Sequence, residues 1–320
     1  MDAERMIAEQ RGHLFGIAYR MLGQVGEAED ALQDAFLRWA QADRSDIENP
    51  AAWLTTVVTR ICLDRLKSAQ RQRETYVGPW LPEPLVADAT GDPADQAEMA
   101  DSLSIAFLVL LESLSPEERA VLLLRDVFDY GYDEIASIVG KSESNARQLA
   151  ARARRRVGER RPRFESSREQ RDKLASRFLA AAEEGDLGAL ESLLAHDVVL
   201  HADGGGKVPA IARSLVGRSR VARAMVAWVR RGVKVPGTAV RPTEVNGQPG
   251  AFLIDGDGKL VGVVALDIAG QQVRSVVGIV NPDKLQHLGP VGDLGALLRR
   301  SLPRDARPTE PSTNKEGGNR

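Results

Sequence analysis

Tyr132-Asp-Glu-Ile-Ala-Ser-Ile-Val-Gly140-Lys-Ser142-Glu-Ser-Asn-Ala-Arg147-Gln-Leu-Ala-Ala-Arg152-Ala-Arg-Arg-Arg156 reads as a short helix, a glycine turn and a second, capped helix dense in arginine. Gly140 supplies the turn and Ser142 the N-cap, while Ala146, Leu149, Ala150 and Ala153 share one face at helical spacing. Upstream, Ser115-Pro116-Glu117-Glu118 joins a capping box to proline at the first helical position. A helix therefore precedes the pair, buried through Val121, Leu122, Leu124 and Val127 and broken at Asp129-Tyr130-Gly131. The order is a helix-turn-helix, an arrangement that lays its last helix in the major groove of DNA. On the outward side Arg147, Gln148 and Arg152 are placed to meet base edges, and Arg154, Arg155 and Arg156 to meet phosphates, with Ser144 a further DNA-binding candidate. An arginine-rich surface helix is the plainer alternative.

Toward the N-terminus, Ile7, Leu14, Ile17, Ala18, Met21 and Leu22 repeat at helical spacing up to Gly23. Glu27, Glu29 and Asp30 then open a helix with Ala28, Leu32, Ala35, Phe36 and Trp39 as its buried stripe. After an irregular stretch, Ala42 to Glu48, Asn49-Pro50 is a cap and first turn for a long helix reaching about Gln72, with Leu54, Val57, Ile61 and Leu66 inward. Its other face carries Thr56, Arg60, Asp64, Lys67 and Arg71, a stripe suited to a phosphate backbone. Trp53 reads either as a core residue or as a platform for an unpaired base.

Charge separates the two helical modules. Arg60 to Arg73 carries five basic residues against one acidic, and Lys141 to Lys173 carries twelve against five. Between them, Tyr76 to Glu118 holds nine acidic residues and no lysine or arginine, with prolines at 79, 82, 84 and 93. A net charge of -2 hides this clustering, and clustered cations are what phosphate neutralisation requires. The 320 residues suffice for two or three domains. The longest apolar run, Ile105 to Leu111, is far short of the ~20 residues that span a bilayer, and the N-terminus lacks a secretory pattern. Cys62, the single cysteine, excludes an internal disulfide or a cysteine-rich metal site. A cytoplasmic protein is expected.

The C-terminal half changes character. Helices are expected at Asp172 to Gly185, Leu187 to Ala195 and Arg218 to Arg231, and strands at 198–202, 251–254, 260–266 and 273–280. Asn246-Gly247 and Asp257-Gly258 are hairpin turns, with Ala269-Gly270 a weaker one. Helices followed by a curved antiparallel sheet make a cone-shaped α+β domain. From Pro303 the chain lacks periodicity and is expected to be disordered.

Glu29-Asp30-Ala-Leu-Gln-Asp34-Ala-Phe-Leu-Arg-Trp39, Asn49-Pro50-Ala-Ala-Trp53-Leu, Leu114-Ser-Pro-Glu-Glu-Arg119 and Tyr132-Asp-Glu-Ile-Ala136, in this order, resemble the extracytoplasmic-function group of sigma-70 factors. The resemblance implies two all-α sigma domains. Domain two, residues 1–75, binds the beta-prime clamp helices of core RNA polymerase through Asp30, Gln33, Asp34 and Leu37. Its Arg44 to Glu48 loop, with Asn49, Trp53, Thr56, Arg60 and Lys67, holds the melted minus-ten strand. Domain four, residues 103–163, meets the beta flap and reads the minus-35 promoter DNA. Ala151 stands where many relatives carry a larger, base-touching side chain.

Residues 170–285 resemble SnoaL-like domains related to polyketide cyclases and ketosteroid isomerases, giving a multidomain chain with an α+β third domain and an extension over 286–320. Three motifs match sigma factors fused to such a domain: Trp80-Leu81-Pro82-Glu83-Pro84 in the linker (76–102), Asp203-Gly204-Gly205-Gly206-Lys207, and Asn281-Pro282-Asp283-Lys284-Leu285. The match implies regulation in cis without a separate anti-sigma factor. A contact model follows in which the glycines receive Trp80 and Lys207 pairs with Glu83. No cofactor, metal or membrane partner is expected, though the third domain has room for a small-molecule ligand. Two alternatives stand beside this reading. One is a cyclase- or isomerase-type enzyme fused to a DNA-binding segment, for which His201 and Asp203, alternating on one strand, are the acid/base pair. The other is a repressor that works without polymerase, for which the acidic helix from Glu27 to Trp39 has no evident use.

Overall fold

The structure, a computed structural model, describes residues 3–43, 45, 47–73, 75–86, 102–158, 167–233 and 235–300. The side chains of Ile7 and Arg71, the loop residues Arg44 and Asp46, the acidic stretch 87–101, the basic segment 159–166 and the expected disordered tail lie outside it.

Three helices, α1 (Ala3–Leu22), α2 (Val25–Gln41) and α3 (Pro50–Arg73), build the first module. Gly23, at φ 72°, ends α1, and the Asn49 side chain accepts from the Ala52 amide at 3.1 Å to start α3. Four more follow: α4 (Ile105–Leu111), α5 (Pro116–Asp126), α6 (Tyr132–Val139) and α7 (Glu143–Val157). Local chemistry sets their ends. Ser115 and Glu118 form the reciprocal capping box, Asp129 turns left-handed at φ 55°, Gly140 at φ 66°, and Ser142 accepts from the Asn145 amide. Ala146, Leu149, Ala150 and Ala153 are buried as their spacing requires.

The two modules share one apolar core that runs from Leu14, Met21 and Leu54 through to Leu111, Leu123 and Ile135. Arg119 crosses the join, its buried guanidinium donating to the Met21 carbonyl at 2.7 Å and the Leu111 carbonyl at 3.1 Å.

The third domain contains α8 (Arg168–Glu184), α9 (Leu187–Leu193), β1 (Leu194–Asp203), β2 (Leu215–Val216), α10 (Arg218–Val233), β3 (Ala239–Val245), β4 (Gln248–Ile254), β5 (Leu260–Ala269) and β6 (Gln272–Ile279). Two short 3-10 turns and α11 (Leu294–Arg300) follow. Strand order is β2-β1-β6-β5-β4-β3. All three expected hairpins are present. The sheet is mixed rather than antiparallel, because β6 returns beside β1 in the same direction. Two strands, β2 and β3, are additional to the expected set, and β1 begins at Leu194 where the helix was expected to continue. β3 is an edge strand carrying Arg241, Pro242 and Glu244, a composition that tolerates missing partners on one side but does not read as apolar strand.

Both faces of the sheet are covered. One packs Val198, Leu266 and Ile268 against Leu174, Phe178 and Val221 of the helices. The other packs Val263, Ala265, Val277 and Ile279 against Leu81 of the linker, Ile105 of α4 and Leu285. The linker is thus part of a core.

Candidate nucleic-acid interface and interdomain clasp

On α7, Ser144, Arg147, Gln148, Ala151 and Arg155 are exposed and share one stripe. Arg147 lies over the Tyr132 ring at 4.5 Å and pairs with Glu143, which orients its guanidinium at the helix start. Arg152, expected at base edges, instead reaches Glu118 at 3.3 Å, as Arg156 does at 2.6 Å; Arg154 holds Asp126. Burial of the Glu118 carboxyl favours protonation, but the Ser115 amide, Arg156 and Arg152 outweigh it and hold its pKa below the usual value. Asp126 correspondingly pushes Arg154 up. Three of the seven expected DNA contacts on this helix therefore also fasten α7: Arg152 and Arg156 bind α5 through Glu118, and Arg154 binds it through Asp126.

On α3, Trp53 is half-buried and packs on Trp39, ring centroids 5.4 Å apart. Thr56 donates to the Ala52 carbonyl at 2.8 Å. Arg60 donates to the carbonyls of Ser137 at 2.9 Å and Ile138 at 3.0 Å, in the last turn of α6, where the helix dipole favours a cation. Lys67 lies 3.7 Å from Glu117. The expected phosphate stripe thus faces the second module over part of its length.

On α2, Asp30, Gln33, Asp34 and Leu37 are exposed, and Leu37 is 55% accessible although apolar. Arg65 holds Asp34 at 2.8 Å and Glu27 at 2.7 Å, while Gln33, Phe36 and Leu37 line a shallow depression.

The three motifs meet around Asp203. Its fully buried carboxylate accepts from the Tyr76 hydroxyl at 2.6 Å, the Leu81 amide at 3.0 Å, the Gly205 amide at 2.9 Å and the Lys284 ammonium at 2.7 Å. Lys284, also buried, donates to the Leu81 carbonyl and sits 4.3 Å from the Trp80 ring centre and 5.0 Å from that of Tyr76. Asn281 donates to the Tyr76 hydroxyl at 2.9 Å, and burial together with Asp203 pushes the phenol pKa up. Pro282 starts the first 3-10 turn, Leu285 enters the core beside Leu81, and His287 donates to the Pro84 carbonyl at 2.8 Å.

The contact model is corrected in both parts. Trp80 packs on Gly23, where an added Cβ would lie 2.8 Å from its ring, and Pro82 is close to the same spot. Gly23 combines the absence of a side chain with a left-handed turn at the end of α1, which makes it the better receptor for a broad ring. Of the glycine run, Gly204 faces the Val208 carbonyl, Gly205 the Asn281 amide and Gly206 the side chain of Val77. Lys207 pairs with Asp283 at the surface. Glu83 binds the first module instead: its amide donates to the Gly23 carbonyl at 2.8 Å, its own carbonyl accepts from Tyr19 at 2.6 Å, and its carboxylate accepts from the Val25 amide at 2.7 Å.

Asn246 was legible only as a turn residue. At φ 53° on the β3–β4 tip, it donates to the Tyr19 hydroxyl at 2.8 Å and the Leu103 carbonyl at 2.9 Å, and accepts from the Leu85 amide at 2.8 Å. One side chain thereby touches α1, the approach to α4 and the linker. Burial pushes Tyr19 up, keeping the hydroxyl that anchors this junction neutral. The acid/base pair that the enzyme alternative needs is not assembled, because Asp203 is committed to the clasp and His201 pairs through Nδ1 with Ser214 at 2.7 Å.

Comparison with known proteins agrees with this architecture. Family models for Sigma-70 region 2 and Sigma-70, region 4 match residues 6–72 and 104–157. The ECF RNA polymerase sigma factor SigJ of Mycobacterium tuberculosis is 38% identical over 283 residues, 86% of this chain and 90% of that protein. The chain belongs to the extracytoplasmic-function sigma factors. The probable ECF RNA polymerase sigma factor SigI of the same species is 33% identical over 280 residues, covering 87% of this sigma factor and 93% of its relative. The crystal structure of M. tuberculosis SigJ superposes with a TM-score of 0.71 at 35% identity, covering 89% of this chain and 98% of that one. These matches extend past the two sigma regions into the SnoaL-like domain. Among the described residues, no helix is long and apolar enough to cross a membrane.

Proposed function

We propose that this sigma factor is controlled in cis: its third domain holds the linker and both DNA-binding modules in one arrangement, in place of a separate anti-sigma protein. The observation that carries the reading is the buried Asp203–Lys284 pair closed around Tyr76, Trp80 and Leu81. Asp30, Gln33, Asp34 and Leu37 are the face offered to the beta-prime clamp helices, with an exposed leucine at its centre, while the second sigma domain meets the beta flap. Ser144, Arg147, Gln148 and Arg155 read the minus-35 duplex. Asn49, Trp53, Thr56, Arg60 and Lys67 serve the minus-ten strand once Arg60 and Lys67 leave their partners on the second module. Stacking and edge contacts on such a rigid helical platform offset the few kcal/mol needed to extract a base.

Run-off transcription with purified core polymerase and a genomic promoter library tests this, comparing the full chain with versions ending near Arg163 and near Val280. Promoter-dependent transcripts whose yield or promoter choice changes with truncation are the expected result. Transcripts identical across all three versions would remove cis-regulation, and failure of every version to bind core would remove the polymerase-face assignments.

A further inference from the structure

The middle of the interior between the helices and the sheet of the third domain is filled: Phe178, Leu190, Val198, Val221, Leu266 and Ile268 are all fully buried there. A cavity of about 440 Å3 opens at one end of that interior, bounded by α8, α10, the base of the β3–β4 hairpin and α11. Its apolar walls include Trp228 of α10, Val240 of β3, Leu253 of β4, Val261 of β5, and Leu297 and Leu298 of α11. Leu294 and Leu297 of α11 belong to a separate small cluster with Val235, Val261 and Val280. The volume falls within the ~300–1,000 Å3 typical of small-molecule sites.

The polar side chains at one edge of this cavity are acceptors, while Trp228 brings a single indole N–H. Glu183 contributes a carboxylate, and the Thr238 hydroxyl donates its hydrogen to the Val235 carbonyl at 2.9 Å. A ligand that donates a hydrogen bond is matched to that edge, and one carrying a carboxylate is repelled.

The hairpin beside the cavity leads to the interdomain junction. Its strands pair in unbroken register from Ala239↔Ile254, which lines the cavity, to Val245↔Gln248, next to Asn246. Seven paired residues at ~3.3 Å each make a stiff arm of about 20 Å. Asn246, at its far end, holds Tyr19, Leu85 and Leu103.

We infer that the cavity is an effector site for a neutral, largely hydrocarbon molecule bearing a hydroxyl group, and that the β3–β4 hairpin transmits its occupancy to the Asn246 junction. The transmission half rests on the cis-regulation reading; the binding half does not.

Prodan, a neutral environment-sensitive dye, reports occupancy of the full-length protein by fluorescence, with 1-decanol and decanoate as competitors. 1-Decanol should displace the dye, and decanoate should need at least about tenfold more, a preference that Glu183→Gln erases. Val240→Trp and Leu297→Trp fill the cavity from two different elements, each weakening 1-decanol at least about tenfold while circular dichroism reports a folded protein. With 1-decanol bound, amide exchange should change at Leu81, Leu85 and Asn246. Absence of displacement, or full displacement in both folded tryptophan variants, overturns the site. Displacement with unaltered exchange at those three amides overturns the transmission alone, and leaves cis-regulation to be judged by the truncations.

Discussion

Replacing Asp203 with asparagine removes a charge and almost no volume, so it isolates the electrostatic part of the clasp. In the native chain the carboxylate is fully buried, and its Lys284 partner is 6% accessible. The amide leaves the Lys284 ammonium with the Leu81 carbonyl and two aromatic faces, which are present before the change and offset nothing new. Removing one partner of a buried pair costs about 3–5 kcal/mol. Two of the four groups that lose a charged acceptor, the Tyr76 hydroxyl and the Leu81 amide, belong to the linker. Roughly half the loss, about 2 kcal/mol, therefore falls on linker attachment, since each hydrogen bond to a charged group is worth about 1.5–3 kcal/mol. That corresponds to about a thirtyfold rise in the detached population. Hydrogen exchange at residues 76–86 reads it directly, with the Leu81 amide accelerating about thirtyfold in Asp203→Asn. Adding Lys284→Met removes the stranded charge, so the double variant should lose less than the sum of the two singles. A Leu81 amide that exchanges at the native rate in folded Asp203→Asn, or strictly additive losses, would refute the reasoning.

Lys207→Met, at the half-exposed pair with Asp283, should shift stability by less than about 1 kcal/mol, and a larger loss in a denaturant titration would contradict the surface assignment. Asn246→Gly keeps the left-handed turn and removes three side-chain hydrogen bonds, for a loss of about 2–3 kcal/mol; Asn246→Ala adds about 1 kcal/mol of backbone strain, so the order of the two melting temperatures is the check. Gly23→Ala introduces both a strained φ and an overlap with Trp80, costing about 1–3 kcal/mol, and Trp80→Ala in the same chain should recover the overlap but not the strain. His13 sits between the Phe128 ring and the Tyr130 hydroxyl, with burial first and Arg20 second lowering its pKa from 6.5. Its proton binds more tightly in the unfolded chain, so its contribution is complete above pH 6.5 and declines as pH falls through that value toward the lower folded pKa. Denaturation midpoints between pH 5 and 8 should slope less in His13→Gln, and equal slopes would remove His13 as the cause.

The helix-turn-helix was legible because its boundaries are set by local chemistry. Ser115, Gly140 and Ser142 fix backbone geometry within four residues of themselves, and the alanine face of α7 follows from spacing alone. The edge strand β3 was not, because a strand with a single neighbour needs no apolar alternation and can carry Pro242 and Arg241. The cationic stripe of α3 could be read from periodicity, but what covers Arg60 depends on where α6 docks. The same limit explains the clasp. Its motifs were recognisable, yet the partners that join them lie 81 to 205 residues apart in sequence, and two glycine-bearing sites competed for one tryptophan. Only the tertiary arrangement distinguishes Gly23 from Gly204–Gly206. Asn246 was visible as a turn for a local reason, and its side-chain bonds to Tyr19, Leu85 and Leu103 carry no sequence signal.

The separation of Leu81 from Lys284, 203 residues, has a consequence in time as well as in space. A ribosome adding about 5–20 residues per second needs roughly ten to forty seconds to travel between them. For the later part of that interval, once the chain has passed Val157, both promoter-reading modules have been made while the lysine that closes the lock has not. Every newly synthesised molecule thus passes through an unlocked adolescence, during which its polymerase-facing helix is complete, and the supply of fresh chains becomes a quantity distinct from the stock of finished ones.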